Sequence, residues 1–189
     1  MSDIHAIFIK NFIRLVKFKT TMFESWLFSP FRKKWVKKKG DENKNYCVFC
    51  EIAEGNKNIP QRVVWRNKRF MVLMNIYPYN TGHLQVVPTR HVENLEELSE
   101  DEYTELWQRV LQCIKLLRKV LEPKGFNIGI NIGEVAGASI RHLHVHIVPR
   151  FERDFGFMEI IARTKVIPAD MDELHKKLCE KANEIFKDI

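Results

Sequence analysis

Hydrophobic and polar residues alternate through the middle of the chain in a pattern that predicts β-strands. Two runs rich in β-branched and aromatic residues, Arg62–Arg66 and Phe70–Met74, are separated by three polar residues. This arrangement predicts a β-hairpin. A third strand is predicted at His83–Val87, and a fourth at Phe126–Ile132. Met158–Ala162 has the composition of one more short strand.

Three segments carry helical signals instead. Cys47–Glu54 is expected to form a short helix that stops before Gly55. Ser99, followed three residues later by Glu102, has the pattern of a capping box, and it predicts a helix to about Leu121. Asp170 is placed to cap a final helix that runs to about Phe186. The chain therefore mixes helices and strands.

The positive charge is concentrated at one end of the chain. The 189 residues carry a formal net charge of +7. Residues 1–45 contain eleven basic and four acidic side chains, whereas residues 46–189 contain twenty of each. We therefore predict a basic N-terminal arm over 1–45 and a neutral folded body over 46–189. A protein that binds duplex nucleic acid needs a basic face on its body, so specific nucleic-acid binding is not expected.

The first part of the arm has the periodicity of an amphipathic helix. Apolar residues from Ile4 to Leu15 fall on one stripe, and Lys10, Arg14 and Lys17 fall on the opposite side. One interpretation is a helix that docks on the body or on a partner subunit. A second is that residues 1–25 bind an anionic membrane surface. A transit peptide is a third, although the arm is rich in Lys and poor in Ser.

Cysteine usage indicates the compartment. Four cysteines in a chain of this length do not form a disulfide scaffold, and Cys47 and Cys50 make a C-x-x-C pair that is available for metal. Cys113 and Cys179 lie in helical patterns and are expected to pack as small core residues. The apolar runs are too short to span a membrane, and no secretory signal is recognisable. We expect a reducing, cytoplasmic location.

Three histidines are concentrated in the segment His142–Val148. His142, His144 and His146 alternate with apolar residues, so on a β-strand their imidazoles would project from one face. A solvated strand face would instead carry Lys, Thr, Glu or Ser. The cluster indicates metal ligation, or nucleophilic or acid–base catalysis. The preceding loop over 131–139 holds small residues whose backbone N–H groups could line an anion site.

The segment H-L-H-V-H-I-V resembles the motif of the histidine-triad (HIT) family of nucleotide hydrolases and transferases. The resemblance extends over residues 46–150 and is greatest to the branch that contains the diadenosine tetraphosphate phosphorylases, through Phe28–Arg32, Arg150–Phe151 and Thr164–Pro168. It implies an α+β fold with a five-stranded antiparallel sheet, flanking helices and a homodimeric assembly. It also implies a nucleotide substrate, such as a dinucleoside polyphosphate.

The resemblance implies a role for each matching residue. The middle histidine, His144, would attack the α-phosphorus and form a nucleotidyl-histidine. Neutral imidazole is a competent nucleophile near pH 7, which agrees with this role. The positions that match the family's phosphate, leaving-group and ribose contacts are His146, Ser139, Asn131, Gly137 and Asn75. Ala138 replaces a Gln that the family often has, which leaves one side-chain contact unaccounted for.

Four further residues form a candidate metal site. Cys47, Cys50, His91 and His142 would supply two sulfur and two nitrogen ligands, a donor set that suits a tetrahedral structural Zn²⁺. The set is similar to that of the galactose-phosphate uridylyltransferases. The simpler interpretation is a reduced cysteine pair with an unrelated surface histidine. His83 also matches a family position, but we assign it no role.

Two questions of function stay open at this point. Within the enzyme interpretation, water and inorganic phosphate compete as acceptors, and the residues Val145 and His146 favour a hydrolase over a phosphorylase. A different class of function is a nucleotide-binding regulator with little turnover, recruited through its arm. A basic nucleic-acid adaptor is the third class, and the neutral body disfavours it.

Overall fold

The computed structural model describes residues 46–152, 154, 167 and 169–186. The N-terminal arm and the predicted strand at Met158–Ala162 lie outside the described residues, as does most of Thr164–Pro168. The predicted division at residue 45 therefore stays a prediction. Within the described part, no helix is both long and apolar enough to cross a membrane.

A five-stranded antiparallel sheet forms the centre of the body, as predicted. Its strands in chain order are β1 Val63–Arg66, β2 Phe70–Met74, β3 Leu84–Pro88, β4 Gly125–Ile130 and β5 Val145–Arg150. Their order across the sheet is β1-β2-β3-β5-β4. The histidine-bearing strand β5 thus lies between β3 and β4, with Ile147 opposite Leu84 on one side and Ile128 on the other.

Alternation along the strands separates two apolar cores. On one face, Val72, Val86 and Val145 belong to the larger core, which includes residues of both long helices. On the other face, Met71 and Val87 pack with residues of the short first helix. Because successive side chains point to opposite faces, His146 shares the second face. The candidate site therefore lies on the face opposite the long helices.

Among residues 46–152 and 169–186, three α-helices flank the sheet, and their ends agree closely with the sequence signals. They are α1 Val48–Ala53, α2 Glu100–Leu121 and α3 Met171–Ile185. The Ser99 side chain accepts from the Glu102 N–H and the Glu102 side chain accepts from the Ser99 N–H, which completes the predicted capping box. The Asp170 side chain accepts two backbone N–H bonds at the start of α3.

The strand boundaries around the histidine segment differ from the predictions by two or three residues. β4 ends at Ile130 rather than Ile132, and β5 begins at Val145 rather than His142. Pairing of β5 with β3 and β4 starts at Val145, and the preceding N–H of Leu143 donates instead to the Val92 carbonyl at 2.6 Å. His142 is therefore not part of the regular strand, and simple alternation does not determine where its side chain lies.

Candidate active site and metal centre

The four predicted metal ligands come together from three separate parts of the chain. Cys47 and Cys50 lie at the start of α1, His91 follows β3, and His142 precedes β5. Their candidate ligand atoms all lie within 4.8 Å of one another. The His142 Nδ1 is 3.3 Å from the Cys47 Sγ and 3.6 Å from the Cys50 Sγ, and the His91 Nδ1 is 3.3 Å from the Cys50 Sγ. The contacting partners are 41 to 95 residues apart in the sequence, so the tertiary fold, and not the local chain, brings them together.

The donor set fits a tetrahedral zinc ion in size and in chemistry. Zinc bonds of about 2.3 Å to sulfur and about 2.0 Å to nitrogen place tetrahedral S and N ligands roughly 3.5 Å apart. The His142 Nε2 donates to the Pro88 carbonyl at 2.9 Å, which leaves the Nδ1 lone pair for a metal. Burial lowers the pKa of His142 to about 4, so the ring is neutral at pH 7. Burial and the neighbouring Cys47 raise the pKa of Cys50 to about 12, so metal binding at this cluster releases protons.

His144 is held in the tautomer that leaves the lone pair of its Nε2 available. Its Nδ1 lies 2.7 Å from the main-chain carbonyl oxygen of His142, and a carbonyl only accepts hydrogen bonds. The proton of the neutral ring is therefore on Nδ1, and the lone pair is on Nε2. The ring is 3% exposed and makes an edge contact with Phe49 at 5.2 Å between centroids. His142 thus contributes its side chain to the cluster of candidate metal ligands and its carbonyl to the orientation of His144.

His146 lies directly beside His144, with 4.7 Å between the ring centroids. On its other side, the His146 Nδ1 is 2.9 Å from the Nε2 of His83, a ring that is completely buried. Tyr79 stacks on His83 at 4.9 Å. The structure therefore gives His83 a direct contact with the predicted site, although the sequence analysis assigned it no role.

The loop between β4 and β5 starts beside His144 and brings Gly137 close to Asn131. The pair Ile130 and Val145 closes the base of this loop, so Asn131 and His144 leave the sheet next to each other. Gly137 has a φ of +93°, which favours glycine, and a Cβ there would lie 3.9 Å from the Asn131 Nδ2. The Gly137 N–H donates to the Glu134 carbonyl, so a phosphate oxygen would have to share or replace that bond.

The two other predicted substrate contacts, Ser139 and Asn75, lie in different loops. Ser139 is half-buried in the same loop, three residues before His142. Asn75 lies at the β2–β3 turn, where its N–H donates to the His83 carbonyl at 2.9 Å. Asn75 is therefore bonded through its backbone to His83, the residue whose ring contacts His146. The roles of both residues in binding substrate stay predictions.

Comparison with known proteins places this geometry in a family. The HIT domain model matches residues 56–153. The chain belongs to the HIT domain family. An AP-4-A phosphorylase of Mycobacterium tuberculosis is 40% identical over 152 residues, which cover 75% of this chain and 76% of the relative. An asymmetrical bis(5'-nucleosyl)-tetraphosphatase of Schizosaccharomyces pombe is 34% identical over 103 residues, 54% of this chain and 57% of the relative.

Three quarters of this HIT chain are similar in structure to a solved zinc-bound histidine triad family protein from Mycobacterium smegmatis. The two share 25% sequence identity with a TM-score of 0.61, over 75% of this chain and 96% of the other. The predicted family and the predicted α+β fold are both confirmed. The relatives carry enzyme names of two kinds, a phosphorylase and a tetraphosphatase.

Two residues at the site were not identified from the sequence. Phe49, within the C-x-x-C pair, contacts the rings of both His142 and His144. An aromatic residue in a short helix carries no signal for such a position. His83 contacts His146 because β3 lies beside β5, and that pairing cannot be read from the local pattern. His175 lies in α3, where it is half-buried, and its Nε2 is 2.9 Å from the Val63 carbonyl oxygen.

Proposed function

We propose that this HIT protein transfers a nucleotidyl group from a dinucleoside polyphosphate, such as diadenosine tetraphosphate, through a covalent intermediate on His144. One observation carries the proposal: the 2.7 Å bond from the His144 Nδ1 to the His142 carbonyl leaves the His144 Nε2 with its lone pair. An imidazole in this state attacks phosphorus without a separate base. The names of the two relatives support the class of substrate.

In the first step, the His144 Nε2 attacks the α-phosphorus. A nitrogen–phosphorus bond forms, the bond from phosphorus to the bridging oxygen breaks, and the polyphosphate leaves with the electron pair. The ring then carries positive charge, which the hydrogen bond from Nδ1 to the His142 carbonyl stabilises. His146, whose ring is 4.7 Å from that of His144, is placed to donate a hydrogen bond to a phosphate oxygen.

In the second step, an acceptor oxygen attacks phosphorus, the nitrogen–phosphorus bond breaks, and its electron pair returns to the His144 Nε2. With water, the product is a nucleoside monophosphate and a proton passes to solvent. With inorganic phosphate, the product is a nucleoside diphosphate. Val145 and His146 favour water as the acceptor, whereas the match to a phosphorylase at 40% identity over 152 residues supports phosphate. Both acceptors therefore stand as candidates.

We also propose that Cys47, Cys50, His91 and His142 hold one structural zinc ion. The distances within the cluster and the zinc-bound relative support this. Zinc would supply a cross-link between α1, the end of β3 and the segment before β5, and it takes no part in the chemical steps. Because the His142 carbonyl also orients His144, stability of this cluster and alignment of the nucleophile depend on the same residue.

A homodimer is the proposed assembly. The strand β4 is an edge of the sheet and exposes Ile128. Tyr103, Trp107 and Leu111 on α2 are spaced four residues apart and are each more than a third exposed. Apolar side chains on one helical stripe indicate a contact surface. The cytoplasmic location is likewise proposed, and it is supported by the four cysteines, all of which are free.

A product assay tests the proposed reaction. The full chain is incubated with diadenosine tetraphosphate, with and without inorganic phosphate, and the nucleotides are identified by mass. AMP and ATP without phosphate would identify a hydrolase, whereas ADP and ATP that form only with phosphate would identify a phosphorylase. Tight nucleotide binding with turnover no faster than that of His144→Ala would contradict both and favour the regulator.

A further inference from the structure

A row of hydrogen-bonding nitrogens connects the main chain to His146 and ends at the candidate active site. The backbone N–H of Tyr79 donates to the Nδ1 of His83 at 3.2 Å. The Nε2 of His83 lies 2.9 Å from the Nδ1 of His146. His83 is completely buried and His146 is 7% exposed. The order of donors and acceptors along this row decides where each ring carries its proton.

The Tyr79 amide sets that order because a backbone N–H can only donate. The Nδ1 of His83 must accept this bond, so the proton of the neutral His83 ring is on Nε2. The Nε2–H then donates to His146, whose Nδ1 must accept. The remaining proton of a neutral His146 is consequently on Nε2. Any other arrangement of protons on the two neutral rings points two N–H groups at each other, at the Tyr79–His83 contact or at the buried His83–His146 contact, and loses a hydrogen bond of the row.

Hydrogen bonds and a ring contact fix the turn that carries the Tyr79 amide, both to β5 and to His83. The Asn80 side chain donates to the Pro149 carbonyl at 3.0 Å, which ties the turn to β5. The His83 N–H donates back to the Asn80 carbonyl at 3.1 Å. The Tyr79 ring stacks on the His83 ring with an interplanar angle of 23°. These contacts hold the amide and the His83 ring in the geometry that the proton order requires.

We propose that the Tyr79 amide and His83 lock His146 as the Nε2–H tautomer, which makes His83 a positioning residue for the hydrogen-bond donor beside His144. The two neighbouring imidazoles are thereby set in opposite states. A backbone carbonyl fixes His144 with its lone pair on Nε2, and a backbone amide, acting through His83, fixes His146 with a proton on Nε2. The lock itself is independent of substrate, and only its kinetic consequence rests on the proposed function.

The first test is direct observation of the tautomer in the full wild-type chain without substrate. Long-range proton–nitrogen NMR correlations show which ring nitrogen carries hydrogen, and the His146 signals are assigned by their loss in His146→Gln. We expect His146 and His83 both as Nε2–H tautomers near neutral pH. A proton on the His146 Nδ1, or a mixture of the two tautomers, would overturn the proposal whether or not the protein turns over nucleotides.

The second test compares two His83 variants. His83→Gln can place an amide N–H near the position of Nε2 and so keep a donor to His146, whereas His83→Leu fills the space without one. With diadenosine tetraphosphate, we expect kcat of His83→Leu to fall about 10²-fold, the effect of losing one oriented donor, with KM little changed. His83→Gln should recover most of this loss and keep the His146 tautomer.

Equal losses in both variants, with both folded, would overturn the lock as a positioning device. If both variants fail to fold, the wild-type spectrum still decides. A wild-type protein that shows the Nε2–H tautomer of His146 but no nucleotide turnover would reject the proposed function and leave the lock standing.

Discussion

The substitution Gly82→Ala tests how the turn beside His83 is held against α2. Gly82 has a φ of +78°, in the left-handed region that favours glycine. A Cβ at this position would overlap the Cδ1 of Leu121 and lie 3.2 Å from the Cδ2 of the buried Leu117. The substitution therefore adds both backbone strain and steric overlap, immediately before a residue of the site.

The two effects can be given separate magnitudes. A non-glycine residue in the left-handed region costs about 1–2 kcal/mol. An extra methyl group in a packed region costs about 1–3 kcal/mol when its neighbours must move. We expect Gly82→Ala to lower the free energy of unfolding by roughly 2–5 kcal/mol. Because the turn carries the Tyr79 amide and His83, turnover should fall as well.

Gly55→Ala is the matched control. Gly55 has a similar φ of +85°, but a Cβ there meets no atom within 4 Å. It should therefore show only the strain of about 1–2 kcal/mol, with unchanged turnover. Urea denaturation of both variants measures the difference, which we expect to be about 1–3 kcal/mol. Equal free energies of unfolding in the two variants would show that the turn does not pack on α2 as described.

Three further predictions concern the metal, the assembly and the arm. Cys47→Ser should lose bound zinc and thermal stability together, whereas Cys179→Ser should keep the metal; zinc content near zero in wild-type protein purified without chelator would contradict the site. Trp107→Lys should shift a dimer to monomer in sedimentation equilibrium while Lys115→Ala does not, and a wild-type monomer would refute the assembly. Deletion of residues 1–25 should leave turnover nearly intact and weaken binding to anionic vesicles if the arm binds membranes, since each basic residue contributes about 1 kcal/mol there. It should instead lower the melting temperature if the arm docks on the body, and no change in either measurement would exclude both interpretations.

Most helices and strands could be predicted from the sequence, because caps, breakers and hydrophobic periodicity are properties of short stretches of the chain. The capping box at Ser99 and the cap at Asp170 set the starts of α2 and α3 to the residue. The clustering of Cys47, Cys50, His91 and His142 was also anticipated, because cysteine and histidine chemistry restricts what such a set can do, and zinc binding by this cluster stays a proposal. The strand boundary before Val145 was not predicted, since it depends on where pairing with β3 and β4 starts.

The contacts of the site depend on pairing that local patterns do not contain. His83 meets His146 because β5 is inserted between β3 and β4, so residues 63 positions apart become neighbours. The double role of His142 follows from a bend that turns its side chain toward Cys47 while its carbonyl faces His144. The histidine and cysteine residues alone indicated nucleophilic catalysis and metal binding. The position of the proton on each imidazole ring could be assigned only from the hydrogen-bond distances in the structure.

The most direct test of the account is the search for a nucleotidyl group on His144. The full chain is mixed with diadenosine tetraphosphate and quenched in alkali, because a phosphorus–nitrogen bond to imidazole is labile in acid. Intact-protein mass spectrometry should show the addition of one AMP moiety, and fragmentation should map it to His144. The adduct should be absent from His144→Ala, whose turnover should be lower by several powers of ten. An adduct on another residue, or full activity in His144→Ala, would contradict the proposed mechanism.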